Sequence, residues 1–100
     1  MEKEFVPYKQ ALKLKKLGFN EPCFGKYDIN GSFYFSVNYH NTDIQSYCIN
    51  CSAPLYQQAF KWLFKELNIK GVMYFEEKQR LIALKNLIKK VKHGTSTRAL

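Results

Sequence analysis

The stretch EPCFGKYDINGSFYFSVNY, residues 21 to 39, decides the fold of this chain. Its apolar residues recur at every second position, the period of a strand with one face buried. Asn30-Gly31 sits in the middle, and both residues tolerate the positive φ of a two-residue type I′ turn. A hairpin is therefore expected, with one strand near Pro22 to Asp28 and a longer one from Ser32 to His40. In the second strand Phe33, Phe35, Val37 and Tyr39 share a face, which makes that face the expected core side. Ser32, Tyr34, Ser36, Asn38 and His40 share the wet face. After a turn at Asn41 to Asp43, a third strand is expected from Ile44 to Cys51, with Tyr47, Ile49 and Cys51 on one side.

On either side of the hairpin the period changes to that of a helix. In VPYKQALKLKKLGF, residues 6 to 19, Pro7 suits a first helical turn and Tyr8, Ala11 and Leu12 recur at helical spacing. Gly18 is placed to end the helix in a left-handed residue, with Phe19 folding back on Leu14. In SAPLYQQAFKWLFKEL, residues 52 to 67, Ser52 offers an N-cap oxygen and Pro54 a first turn. At about 100° per residue, Tyr56, Ala59, Phe60, Leu63, Phe64 and Leu67 fill one arc of this second helix, with Trp62 and Leu55 on its flank. Residues 68 to 75 suit a short edge strand, and a third helix is expected from Glu76 to Lys92, ended by Gly94.

The order helix, three strands, helix, short strand, helix predicts an α+β fold with two layers. The expected sheet is a three-stranded antiparallel meander, with an optional short fourth edge strand, packed by helices. A chain of 100 residues suits one domain, expected over residues 1–94, with residues 95–100 as a flexible tail. An apolar content of 46%, with 16% aromatic residues, is enough to build a core and argues against disorder. No apolar run approaches a membrane span or a signal-peptide core, and the three cysteines are an odd number. The expectation is a cytoplasmic protein with reduced thiols.

Two blocks, EFVPYKQALKLKKLGFNEPCFGKYD (residues 4 to 28) and SAPLYQQAFKWLFKEL, resemble those of small uncharacterised proteins of Bacteroidetes phages and prophages. The resemblance covers about residues 4 to 67. It implies a phage-related accessory protein in a bacterial host cytoplasm, and it brings no activity, ligand or site residue with it.

Charge is distributed unevenly. The net charge is +3 over residues 1 to 20 and −2 over residues 21 to 60. Over residues 61 to 100, ten basic against three acidic residues give +7. Such asymmetry suits nucleic acid, an acidic protein or an anionic ligand. In the third helix Lys78, Lys85, Lys89 and Lys92 form a row beside the apolar residues Leu81, Leu84, Leu87, Ile88 and Val91. The spacing of Leu81, Leu84, Ile88 and Val91 suits docking on the rest of the chain or a short seam with a second copy.

Catalytic patterns are sparse: the chain has two histidines and no GxSxG, HExxH or glycine-rich phosphate loop, so it is read as not an enzyme. Cys48 and Cys51 have the spacing of a metal or redox pair, and Cys23 and His40 would complete a Cys₃His zinc set. Residues three apart on a regular strand point to opposite faces, so no metal and no cofactor is expected. The helix, three-strand, helix order is also that of double-stranded RNA-binding domains. Those take phosphates through lysines at the start of the second helix, where this chain has none.

Three functional readings follow. The first is a non-catalytic protein-interaction module, modulating or inhibiting a host protein such as a defence protein. Its contact would use Trp62, Lys65, Leu84 and Ile88, with homodimerisation through the third helix. The second is nucleic-acid binding through Lys9, Lys13, Lys16, Lys78, Lys85, Lys89 and Lys92. The third is sequestration of a small ligand at an oligomer interface.

Overall fold

The computed structural model describes residues 2–42, 49–69 and 75–98, with side chains described up to Lys92. The fold is α+β, with three helices and one three-stranded antiparallel sheet. The chain divides into two compact units, Met1–Leu55 and Tyr56–Leu100.

The first unit holds helix α1 (Tyr8–Lys16) and strands β1 (Cys23–Asp28), β2 (Phe33–Tyr39) and β3 (Ile49–Ser52). Helix α1 ends as its sequence predicts. Gly18 has φ +100°, its amide donates to the Lys15 carbonyl, and the Phe19 amide donates to the Leu14 carbonyl at 3.0 Å. Those are the two bonds of a Schellman ending, and Phe19 and Leu14 are both fully buried behind it. Pro7 stands one position earlier than expected, in the extended capping position.

The sheet is not a meander. Its strand order is β2-β1-β3, so β1 is central and β2 lies at an edge. The expected burial pattern shifts accordingly. Cys23, Gly25 and Tyr27 of β1 are buried, whereas Phe35 and Val37, expected in the core, are 61% and 80% exposed. A central strand is screened by neighbours on both sides; an edge strand's side chains are covered only where another element happens to lie over them.

The hairpin also differs from the two-residue turn expected. The Asp28 amide donates to the Ser32 carbonyl and the Gly31 amide to the Asp28 carbonyl, each at 3.0 Å. Only Gly31 (φ +82°), and not Asn30, is left-handed. This is the three-residue loop built from a type I turn and a glycine bulge. The Asp28 side chain selects it: its Oδ1 accepts the amides of Asn30 and Ser32, both at 2.9 Å, as in an Asx turn. The Tyr34 hydroxyl donates to the other carboxylate oxygen at 3.1 Å.

Polar side chains bind the loops of this unit together. Asn41 donates to the Phe19 carbonyl at 2.7 Å and accepts the Ser52 amide at 2.8 Å. The Tyr27 hydroxyl donates to the Val6 carbonyl at 2.7 Å, and Asn50 donates to the Tyr8 hydroxyl at 2.8 Å. Ser52 and Pro54 do not start a helix. The amide of Ala53 donates to Gly25 and the Pro54 carbonyl accepts the Val6 amide, both at 2.8 Å, so this segment is held extended. Most of the expected third strand (residues 44–48) lies outside the described residues, as do residues 70–74 of the expected fourth.

The second unit holds α2 (Tyr56–Glu66), a 3-10 turn at Glu77–Gln79 and α3 (Arg80–Arg98). On α2, Tyr56, Ala59, Phe60, Leu63 and Phe64 are buried, as the helical period predicts. Its end repeats the device of α1 with an asparagine in the glycine position. Asn68 has φ +59°, and the Ile69 amide donates to the Phe64 carbonyl at 2.8 Å. On α3, Leu84, Leu87, Ile88 and Val91 are buried, and α3 packs against α2. The helix runs on through Gly94 to Arg98. A glycine inside a helix costs about 1 kcal/mol relative to alanine, which weakens a helix without necessarily ending it.

Candidate functional site

The exposed row on α3 follows from the same periodicity that buries its apolar side. Leu84, Leu87, Ile88 and Val91 occupy the arc facing inward, so Lys85, Lys89 and Lys92, at spacings of four and three, must share a solvent face. All three are exposed, as is Lys78, seven residues before Lys85. Lys90 is exposed too, and Ile82, 64% exposed, lies within the row. Lys85 to Lys92 covers about 10 Å of helix axis at 1.5 Å per residue.

No acidic residue occurs from Lys78 to Arg98, a run that contains seven Lys and Arg. The positive field of this face is therefore not cancelled by neighbours on its own helix. At the start of the helix the Arg80 guanidinium lies 4.9 Å from the centre of the Tyr56 ring. Burial raises the Tyr56 hydroxyl above its ordinary pKa, and the nearby Arg80 charge opposes that rise.

The lysines of α1 form a second, shorter row. Lys9, Lys13 and Lys16 are exposed and share one face, opposite the buried Gln10, Ala11 and Leu14. Lys15 is committed elsewhere, donating to the Asn50 carbonyl at 2.5 Å. Lys13, Lys15 and Lys16 stand in the last helical turn, where cations complement the helix dipole.

The residues expected at a protein contact are placed differently. Leu84 and Ile88 are 0% and 5% exposed, so the seam expected to join a second copy through α3 is occupied by packing within this chain. A 3.5-residue repeat reads the same whether its partner is internal or a second molecule. Trp62 is half-buried on the flank of the α2 arc, and Lys65 is exposed.

The two described thiols are held in their protonated form. Cys23 and Cys51 are buried and free of disulfide bonding. Burial pushes the Cys23 thiol up to about 11, with the adjacent Ser52 side chain lowering it and Glu21 raising it. Burial pushes Cys51 up to about 12, against the attraction of Lys15. Both are therefore protonated at neutral pH, and a thiol rather than a thiolate is a poor nucleophile and metal ligand. The Cys23 thiol donates to the Glu21 carbonyl at 3.3 Å. His40 Nδ1 lies 3.1 Å from the Asn38 carbonyl oxygen, and Cys48 lies outside the described residues. Among the described residues no group of three or more His, Cys, Asp and Glu could hold a metal ion. No helix among them is long and apolar enough to cross a membrane.

Sequence reasoning found the α3 row because helical period and charge are both local. It missed Asp28 and Asn41, whose polar contacts organise the loops of the first unit; an aspartate two residues before Asn-Gly was the available signal for the first. Comparison with protein-family models, with curated proteins and with solved structures finds no match for this chain.

Proposed function

We propose that this chain is a non-catalytic nucleic-acid-binding protein that takes the phosphate backbone along the lysine face of α3. The observation that carries this reading is the row Lys85, Lys89 and Lys92, exposed at every position on a helix without an acidic residue, with Lys78 exposed in the preceding 3-10 turn beside Glu77. Lysines at one helical face can each approach a different phosphate, displacing counterions while reading little sequence. The α1 row of Lys9, Lys13 and Lys16 is a second basic face of the same kind. Provenance as an accessory protein of phages in a bacterial cytoplasm, which the two sequence blocks imply, is compatible with such a role.

The test is fluorescence anisotropy with labelled duplex DNA, duplex RNA and single-stranded DNA across a salt series. Engagement of three or four phosphates gives a log–log salt slope of about −3 to −4 on duplex DNA. The double variant Lys85→Glu/Lys89→Glu should weaken binding to all three probes and reduce that slope by about 2. No binding at low salt, or binding indifferent to salt, would sink the reading. Polyglutamate bound as tightly as DNA would reassign the face to an acidic protein.

The reading as a protein-interaction module retains one supporting observation, and it lies away from the residues first expected to carry it. Phe35 and Val37 are apolar and largely exposed on the edge strand of the sheet.

A further inference from the structure

We propose that β2 is a self-pairing edge, along which two copies of this chain join antiparallel about a two-fold axis near Ser36. Among the described residues no strand pairs with the outer edge of β2, because β1 occupies the inner one. Antiparallel ladders alternate, so every second residue of an edge strand directs its N–H and C=O outward. Such an edge is a template for another strand unless it is blocked by charge, proline or cover.

This edge lacks the first two defences. Between Asp28 and Asp43 the chain has no Lys, Arg, Asp, Glu or Pro, although 24% of its residues are charged. Cover is also missing where it matters, since Phe35 and Val37 are 61% and 80% exposed. The strand does carry one further device, an irregularity. Between the pairs Gly25 with Phe35 and Cys23 with Tyr39, β2 advances four residues for two on β1, and Asn38 is left-handed (φ +54°). That bend interrupts regular pairing at Asn38 and confines the contact to Phe35 to Val37, on either side of the axis.

The residue types say which strand fits. Read in either direction, FYFSVNY has an aromatic residue at each end and an apolar residue on each side of a central serine. A two-fold through Ser36 therefore sets Phe35 of each copy opposite Val37 of the other, an aromatic with a β-branched side chain. Phe33 and Tyr39, the next pair outward, are kept from regular pairing by the bend at Asn38. No charge meets its like, as would happen in self-pairing of a strand with a lysine or glutamate on the axis. The two most exposed apolar side chains of β2 thus cover one another. Phe35 is also held in place: its ring centre lies 5.0 Å from that of Phe33 and 6.0 Å from that of Phe5.

Sedimentation equilibrium of the full chain over a wide concentration range tests the proposal, alongside amide exchange. A reversible dimer is expected. Val37→Lys and Phe35→Lys should each weaken it about tenfold or more by placing like charges at the paired edge. Ile29→Lys should leave it intact, because Ile29, 60% exposed, lies on the hairpin loop beyond the strand. Circular dichroism monitors folding, and the largely exposed Val37 keeps the test valid should Phe35→Lys fail to fold. The amides of Phe35 and Val37 should exchange slowly only at concentrations where the dimer forms. A monomer at every concentration would overturn the proposal. So would a dimer indifferent to Val37→Lys, or one that Ile29→Lys weakens equally.

Discussion

Strands β1 and β2 lie side by side, yet their burial is the reverse of what their compositions suggest. β2, FYFSVNY, is uncharged and alternates aromatic and apolar residues on one face, but no residue of it is fully buried. β1, CFGKYD, contains a glycine, a lysine and an aspartate, and four of its six residues are buried. The difference is one of position. β1 has a strand on each side, and its Tyr27 reaches the N-terminal segment, donating to the Val6 carbonyl at 2.7 Å. Hydrophobic alternation identifies which face of a strand would prefer burial; it does not determine how many neighbours the strand acquires.

The contrast can be broken first by deletion. Tyr27→Ala removes a 7%-exposed aromatic ring and leaves the Val6 carbonyl without that donor, and should cost about 3–5 kcal/mol in chemical denaturation. Val37→Ala, on the exposed strand, should stay within about 0.5 kcal/mol of the parent in the same measurement at concentrations where the chain is monomeric. Equal losses would show that the two strands share one environment.

A smaller effect probes where the strands touch. A Cβ on Gly25 would stand 2.6 Å from Phe33 Cε1 and 3.1 Å from the Ala53 Cβ. The Phe33 ring has limited room to yield, with Phe5 at 4.7 Å and Tyr27 at 5.7 Å between ring centres. Gly25→Ala should therefore destabilise by about 1–3 kcal/mol through overpacking, measured as a lower denaturation midpoint. A neutral outcome would mean that the aromatic cluster beside β2 is loose.

The loop between the strands supplies the mildest test, through pH. The Ser32 amide above all, with the amides of Asn30 and Gly31 and the Tyr34 hydroxyl, holds the Asp28 carboxyl below its ordinary 3.8, against an opposing effect of burial. A carboxyl depressed on folding stabilises the fold above its unfolded pKa, and that contribution is lost as pH falls through the folded value. The denaturation midpoint should therefore fall with pH below about 4. Asp28→Asn should lower the midpoint at pH 7 and flatten this part of the acid dependence. An unchanged acid profile in the variant would remove Asp28 from the account of the turn.

Much of the fold was legible because the relevant signals are local. Gly18 with Phe19 specified the end of α1 down to its two hydrogen bonds, since a left-handed glycine followed by an apolar residue has few alternatives. The buried arcs of α2 and α3 followed from the 3.6-residue period. At the candidate site the same period placed Lys85, Lys89 and Lys92 in the open, while Lys78 is exposed in the 3-10 turn before the helix. Its opposite face was ambiguous: Leu84 and Ile88 favoured docking within the chain but also suited an external seam until their burial was known.

By itself, then, the sequence determined the class of fold, the inward arcs of the helices and the basic face of α3, all of which depend on residues within a few positions of one another. It also encoded the uncharged run from Ile29 to Thr42, without indicating that this run would form an edge. Strand order and hairpin type were decided in tertiary structure. The first depends on pairing between residues about 25 apart, such as Tyr27 with Cys51. The second depends on an aspartate side chain competing for backbone amides that a two-residue turn would have used otherwise. Local periodicity carries no information about which of several compatible strands takes the centre of a sheet, because that choice is made by the sum of long-range contacts each arrangement allows.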